Sequence, residues 1–481
     1  MADKLSEPIE TRLFINNEFR ESSSNKTFDV VYPYTREVIA TVHEADEKDV
    51  NDAVAAAKAA FPAWRDLGVD QRGEYLRKVA DLFEKHTEQL GRLETLSIGR
   101  PISLFPDCRI AKDQFRYFAD AGWQVQGTAT TNTPGFLGMT VKEPYGPVAC
   151  ITPWNFPLLG LATKLAPALA AGNTVVLKSS EKAPLTSLYA AKLFVEAGFP
   201  PGVVNIISGH GNLAGAALSS HMDIRALSFT GSSLTGQKIQ EAAAKSNLKH
   251  LHMELGGKTP AVIFEDADLE AAATQTKFSI QLNSGQICTA NSRIYVHESV
   301  AERFTELFRE KFAAQTIGDP FDPKTTHGPQ VDILQHNRIK GYLDIAEKEG
   351  RVTLGGDASD GLFVKPTILQ DMPEDSRVMR EEVFGPVVAI NTFKTEAEVI
   401  EKANATEYGL FASVFTKDIE RGLRLAKALE AGTVSINCAS PTHLKDASVG
   451  GYKMSGTGRE GLLYSMENFV QTKTIQIKTA Q

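Results

Sequence analysis

The chain has 481 residues, 42% of them hydrophobic and 23% charged, with a formal net charge of -8. That length accommodates two or three domains with a substantial core, and the composition is ordinary for a globular protein in water. The acidic balance argues against a general nucleic-acid surface, which needs clustered basic residues. The four scattered cysteines, Cys108, Cys150, Cys288 and Cys438, argue against a disulfide framework and form no Cys-x-x-Cys metal pattern.

From the N-terminus, Met1 to Pro8 lack the apolar core of a signal peptide and carry acids that a mitochondrial presequence avoids. Residues 128–142, rich in Thr, Pro and Gly, interrupt the pattern. A helical stretch over 164–171 stops at Gly172-Asn173, and 174–177 reads as a buried strand with Lys178 at its carboxyl end. Pro184 opens the next helix, Gly198 to Gly202 close it, and strands are expected at 203–207 and 225–229. This alternation predicts a parallel sheet with crossover helices.

The strand at 225–229 runs into Gly231-Ser232-Ser233 and a helix over about 234–245. Gly231 and Ser232 therefore occupy the turn where helix amides meet phosphates in such sheets. The segment lacks the Lys-Ser/Thr ending of a Walker A loop, which disfavours ATP, and it departs from Gly-x-Gly-x-x-Gly. An ordinary glycine turn is the competing reading. Beyond Gly257, a strand at 260–264 and a helix over 269–282 begin a second α/β region leading into the loop of Cys288. Residues 470–478 alternate as a strand. No apolar run reaches the roughly 20 residues needed to cross a bilayer, and Thr479-Ala480-Gln481 is not a peroxisomal address, so a cytoplasmic protein is expected.

Cys288 sits among small and polar neighbours in Asn283-Ser284-Gly285-Gln286-Ile287-Cys288-Thr289, downstream of Met253-Glu254-Leu255-Gly256-Gly257-Lys258. A thiol and a carboxylate can divide covalent catalysis, the sulfur attacking an electrophilic carbon and the carboxylate later activating water. A cysteine is also a common apolar filler, and a glutamate a common solvated acid. These segments occur together with Ile151-Thr152-Pro153-Trp154-Asn155-Phe156-Pro157, Lys178-Ser179-Ser180-Glu181, Phe229-Thr230-Gly231-Ser232 and Glu381-Glu382-Val383-Phe384-Gly385-Pro386. Six motifs in this order resemble the aldehyde dehydrogenases over almost the whole chain.

The resemblance implies a Rossmann-like dinucleotide-binding domain (1–125 and 145–256), a second α/β catalytic domain (257–455) and a small β oligomerisation arm (126–144 and 465–481). From the residues alone, an edge strand explains 470–478 equally well. It implies an NAD-dependent oxidation of an aldehyde, with Cys288 as nucleophile, Asn155 and the Cys288 amide as oxyanion donors, and Glu254 as general base. Trp154, Lys178, Glu181, Gly231, Ser232, Glu382 and Phe384 match cofactor positions. Glu181 favours NAD over NADP, because a carboxylate repels a 2′-phosphate, while Lys178 partly offsets it. Gly160, Thr163, Leu282, Ile287, Thr289 and Val449 match the substrate channel. The small Gly160, Thr163 and Val449 predict a wide channel for aromatic or long-chain aldehydes, with His443 or Lys445 open to a polar substrate. A homodimer or homotetramer is expected, with no metal, nucleic-acid or membrane partner. A CoA-acylating semialdehyde dehydrogenase is the alternative, against which Glu254 counts, as is a non-catalytic structural protein on the same scaffold.

Overall fold

Short runs of β-branched and small apolar residues between glycine turns form the inner strands of an eight-stranded sheet. The protein, seen in a computed structural model, is described for residues 5, 7–358, 361–441 and 447–479. The sheet runs in the order Glu18–Arg20, Leu13–Ile15, Val204–Ser208, Thr174–Ser179, Pro147–Ile151, Ala226–Thr230, His250–Glu254, Gly456–Thr457. Its five central strands are parallel, and both edges are antiparallel additions.

Alternation along these strands divides the core between the two faces. Val148, Cys150, Val175, Leu177 and Ile206 pack on one side, whereas Ala149, Val176, Ile207, Leu227 and Phe229 pack on the other. A strand turns successive side chains to opposite faces, so helices on both sides bury every position. The helix Pro157–Ala170 covers one of these faces, and it carries a fully buried lysine, Lys164.

A second sheet of seven strands runs Arg351–Leu354, Thr367–Gln370, Val387–Phe393, Arg293–His297, Pro260–Ile263, Phe411–Phe415, Thr433–Ile436, parallel except at its first member. The mixed α/β class expected from the sequence is the one observed. Most strand and helix bounds differ from the expected ones by a residue or two, but the helix expected over 164–171 begins seven residues earlier and spans Pro157–Ala170. The helix expected from residue 234 spans Ser233–Lys245 because the Ser232 side chain accepts from the Thr235 amide and caps it.

The segment 470–478 forms a nine-residue strand, Val470–Lys478, paired antiparallel with Phe136–Pro144 from Val470 opposite Pro144 to Lys478 opposite Phe136. Ala129–Thr130 adds a third strand. Among the described residues, no helix is long and apolar enough to cross a membrane.

Candidate active site

Three successive left-handed residues shape the turn before Cys288: Asn283 at φ 50°, Ser284 at φ 53° and Gly285 at φ 78°. Only the last requires glycine on contact grounds, because a Cβ there would lie 2.1 Å from the Gly385 carbonyl. The turn is thus pressed against the Gly385-Pro386 peptide. Asn155 reaches the turn from the other unit and donates its side-chain amide to the Gln286 carbonyl at 2.9 Å. Asn283 returns a bond to the Asn155 carbonyl at 3.1 Å. An amide nitrogen carries two protons, so Asn155 keeps one donor for a ligand. Gly257 admits the Cys288 peptide, since a Cβ there would stand 2.2 Å from the Cys288 carbonyl oxygen. Asn155, Cys288 and the strand end at Glu254 therefore meet in one place.

Cys288 is partly exposed, Asn155 and Glu254 are buried. Burial, with the Glu382 and Glu254 carboxylates beside it, pushes the Cys288 thiol up to about 12. Burial also raises Glu254, as does the nearby Glu460 carboxylate, while His252 opposes the rise. A carboxyl held above its usual range is suited to taking a proton near neutral pH.

Of the residues matched to a cofactor, Ser232 and Glu382 line one cleft. Lys178 ends its strand, buried, with Nζ donating to the Ser179 carbonyl at 2.9 Å and lying 3.9 Å from the Glu181 carboxylate. Burial lowers its basicity, which Glu181 and Glu44 partly restore. A cleft of about 510 Å³ has Ser232 and Leu234 on one wall and Glu382, Arg338 and Tyr408 on the other. Glu382 accepts from the Gly257 amide at 2.9 Å and is pushed up to about 7 by burial, which that bond eases. Trp154 and Phe384 meet edge to face at 5.4 Å, with Phe384 in the left-handed region at φ 60°.

The family profile described as "Aldehyde dehydrogenase family" matches residues 19–475. An aldehyde dehydrogenase of Alternaria alternata is 45% identical over 97% of this chain and 95% of its own length. The chain belongs to the aldehyde dehydrogenase family. Retinaldehyde dehydrogenase 3 of Mus musculus is 46% identical over 97% of this chain and 93% of its own. The crystal structure of PnpE in complex with nicotinamide adenine dinucleotide superposes with a TM-score of 0.96 at 40% identity, covering 98% of both chains.

For an aldehyde dehydrogenase, the expected channel residues fall into two groups. Thr163 and Thr289 are half-buried and Val449 is 40% exposed. Leu282 and Ile287 are buried in the core that underlies the second sheet. At Gly160 the small size also serves a close approach. A Cβ there would come 2.9 Å from Pro153 Cδ, so the missing side chain lets the helix Pro157–Ala170 approach the segment that carries Asn155. Gly160→Met should therefore depress kcat/KM for acetaldehyde about as much as for benzaldehyde, by displacing Asn155. Selective loss of the bulky substrate in a size-graded panel would restore the channel reading. Residues His443 and Lys445 lie outside the described residues.

The sequence reading passed over Lys164, Ser228, His252 and Glu460, which form a buried polar cluster behind Glu254. A signal was present. Lys164 is a lone cation in an otherwise apolar helix, and His252 shares a strand face with Glu254 at a spacing of two. Arg338, which donates to the Glu382 carbonyl at 2.8 Å, and Gln335, which donates to the Phe384 carbonyl at 2.8 Å, carried no such signal.

Proposed function

We propose that the protein oxidises an aldehyde to a carboxylic acid with NAD, through covalent attachment at Cys288 and hydrolysis assisted by Glu254. One observation carries this reading: Asn155, the Cys288 turn and the Glu254 strand end converge from three separate segments, the first two tied by the Asn155–Gln286 bond and the third brought alongside by Gly257 against the Cys288 carbonyl.

Cys288 loses its thiol proton to solvent, its Sγ bonds to the aldehyde carbon, and the C=O π pair moves to the oxygen, which takes up negative charge. The free proton of the Asn155 amide and the Cys288 backbone amide stabilise that oxyanion, an effect worth about 10²–10³ in rate per donor. NAD, when bound, accepts the hydride that leaves this carbon. The resulting thioester carbon is attacked by water, Glu254 takes the water proton, and the C–S bond breaks to release the acid and the Cys288 sulfur. The net change consumes aldehyde, NAD and water and yields acid, reduced cofactor and protons.

The cleft suits a dinucleotide. Glu382 on its wall offers a carboxylate to ribose hydroxyls, and the helix N-terminus at Ser232 offers amides to the pyrophosphate. By the family resemblance, Glu181 would hold the other ribose, and Trp154, Lys178, Gly231 and Phe384 would complete the site. Glu181 also disfavours a 2′-phosphate. Two like charges about 4 Å apart repel by about 1 kcal/mol in water and more in a cleft. Glu181→Gln should lower the NAD/NADP ratio of kcat/KM by about tenfold, and an unchanged ratio would assign the preference to other groups.

Assembly into a homodimer or homotetramer is supported by the strand Val470–Lys478, which is an edge of its sheet and exposes Ile475 and Ile477 on one face. The four free cysteines fit a reducing compartment, the cytosol. The test of the reaction is absorbance of NADH across an aldehyde panel, with and without CoA. Turnover without CoA is expected, and a strict requirement for CoA would replace hydrolysis by acyl transfer.

A further inference from the structure

The strand His250–Glu254 turns His252 and Glu254 to the same face, and the two side chains meet at 3.7 Å between His252 Nε2 and Glu254 Oε1. Both atoms are buried, and at this separation, longer than a hydrogen bond, neither has a hydrogen-bond partner among the described residues. Which form of the imidazole faces the carboxylate follows from the groups behind the ring. Lys164 Nζ can only donate, and it lies 3.0 Å from Ser228 Oγ and 2.9 Å from Glu460 Oε1. Ser228 thus accepts from Lys164 and directs its own proton at His252 Nδ1, 3.0 Å away. With Nδ1 accepting, the ring carries its proton on Nε2, and a doubly protonated ring carries one there too. Either way, an N–H faces Glu254.

The ring is fixed from the front as well. A Cβ at Gly458, which lies at φ 82°, would stand 2.5 Å from His252 Cδ2, and one at Gly450 would stand 3.1 Å from Glu254 Oε1. The turn that closes over the pair therefore has no side chain at either point of contact. Its other end holds Glu460, whose backbone pairs with Val449 and whose carboxylate is 3.6 Å from His252 Nδ1.

We infer that His252 is a positioning residue for Glu254: its Nε2–H, oriented by Lys164 through Ser228, holds the carboxylate in its basic form and aims it for hydrolysis of the thioester. The inference rests on Glu254 being the base proposed above. The charged and titratable groups facing the pair are Lys164 from the covering helix, Glu460 and Arg459 from the closing turn, and Cys288 from the opposite unit. An N–H donated to a carboxylate favours its charged form, so removing the donor raises the pH at which that form is lost.

The experiment follows NADH by rapid mixing with NAD and acetaldehyde, from about pH 5 to 9, in wild type, His252→Leu, His252→Gln, Ser228→Ala and Glu254→Gln. In His252→Leu the burst should remain, while the acid limb of the rate after the burst moves up by about one pH unit, a tenfold loss on that limb. Gln, which can present an amide N–H, should return the limb most of the way. Ser228→Ala, which frees the ring to turn a bare nitrogen toward Glu254, should move it in the same direction by less. Wild-type limbs in His252→Leu and Ser228→Ala overturn the inference. If His252→Leu gives no burst, Ser228→Ala decides: a raised limb supports the role and an unmoved one overturns it. Glu254→Gln separates the two levels. If it leaves the rate after the burst intact, the base assignment fails; if it slows that rate while the other variants do nothing, only the role of His252 fails.

Discussion

Cys288→Ala is expected to lower NADH formation by at least about 10³-fold while leaving NAD affinity within a fewfold of wild type, since the sulfur makes the covalent bond but holds no part of the dinucleotide. The choice among the four cysteines is a matter of surroundings. Cys108 and Cys150 are buried in the core of the first sheet and its helices, and Cys438 is exposed. Acidity does not separate Cys288 from Cys150, because burial pushes both up to about 12. What separates them is that Cys288 alone lies beside Asn155 and Glu254.

A thiol held so high should be sluggish in the free enzyme. Alkylation of Cys288 by iodoacetamide, read from the mass of its peptide so that Cys438 does not interfere, should rise about tenfold per pH unit through the neutral range. A plateau below pH 8 would mean that the thiolate is already formed before substrate binds. Full NADH production by a verified alanine variant would remove Cys288 from the mechanism altogether.

The strands were legible because their residues obey one local rule. Thr174 to Leu177 and Val204 to Ile207 are buried on both faces and, Asn205 apart, consist of β-branched or aliphatic residues, as suits a strand covered by helices on two sides. The edge strands obey no such rule. Gly456–Thr457 joins the sheet beside His250–Glu254 across a separation of about 200 residues, and nothing in a Gly-Thr pair announces it. The proposed catalytic trio was legible only through the order of its motifs. Asn155, Cys288 and Glu254 are far apart in the chain, and their meeting is a tertiary fact. Gly160 shows the limit of reading size alone, since a missing side chain can mark open space or a close approach, and here Pro153 fills the room. His252 was readable in principle from its spacing to Glu254, but its orientation depends on Lys164 and Ser228, which come from a helix and a neighbouring strand.

Glu254→Gln should separate the two chemical stages. The neutral amide cannot take the water proton, so the thioester forms and accumulates: a burst of NADH of about one equivalent per site, then a steady rate slower by about 10²–10³. The electrostatics of the site sharpen this expectation. In the wild type the Glu254 carboxylate is one of the charges that push the Cys288 thiol up. Removing that charge should lower the thiol and raise its thiolate fraction, so the burst should be no slower and alkylation of Cys288 at neutral pH should be faster. A Glu254 that chiefly draws the proton from Cys288 gives the opposite pattern, with the burst itself slowed. In wild type the steady rate should fall as pH drops through the raised range of Glu254, because protonation removes the base, whereas the Gln variant should lose that acid limb. A variant that keeps both the wild-type steady rate and the limb would show that water is activated by another group.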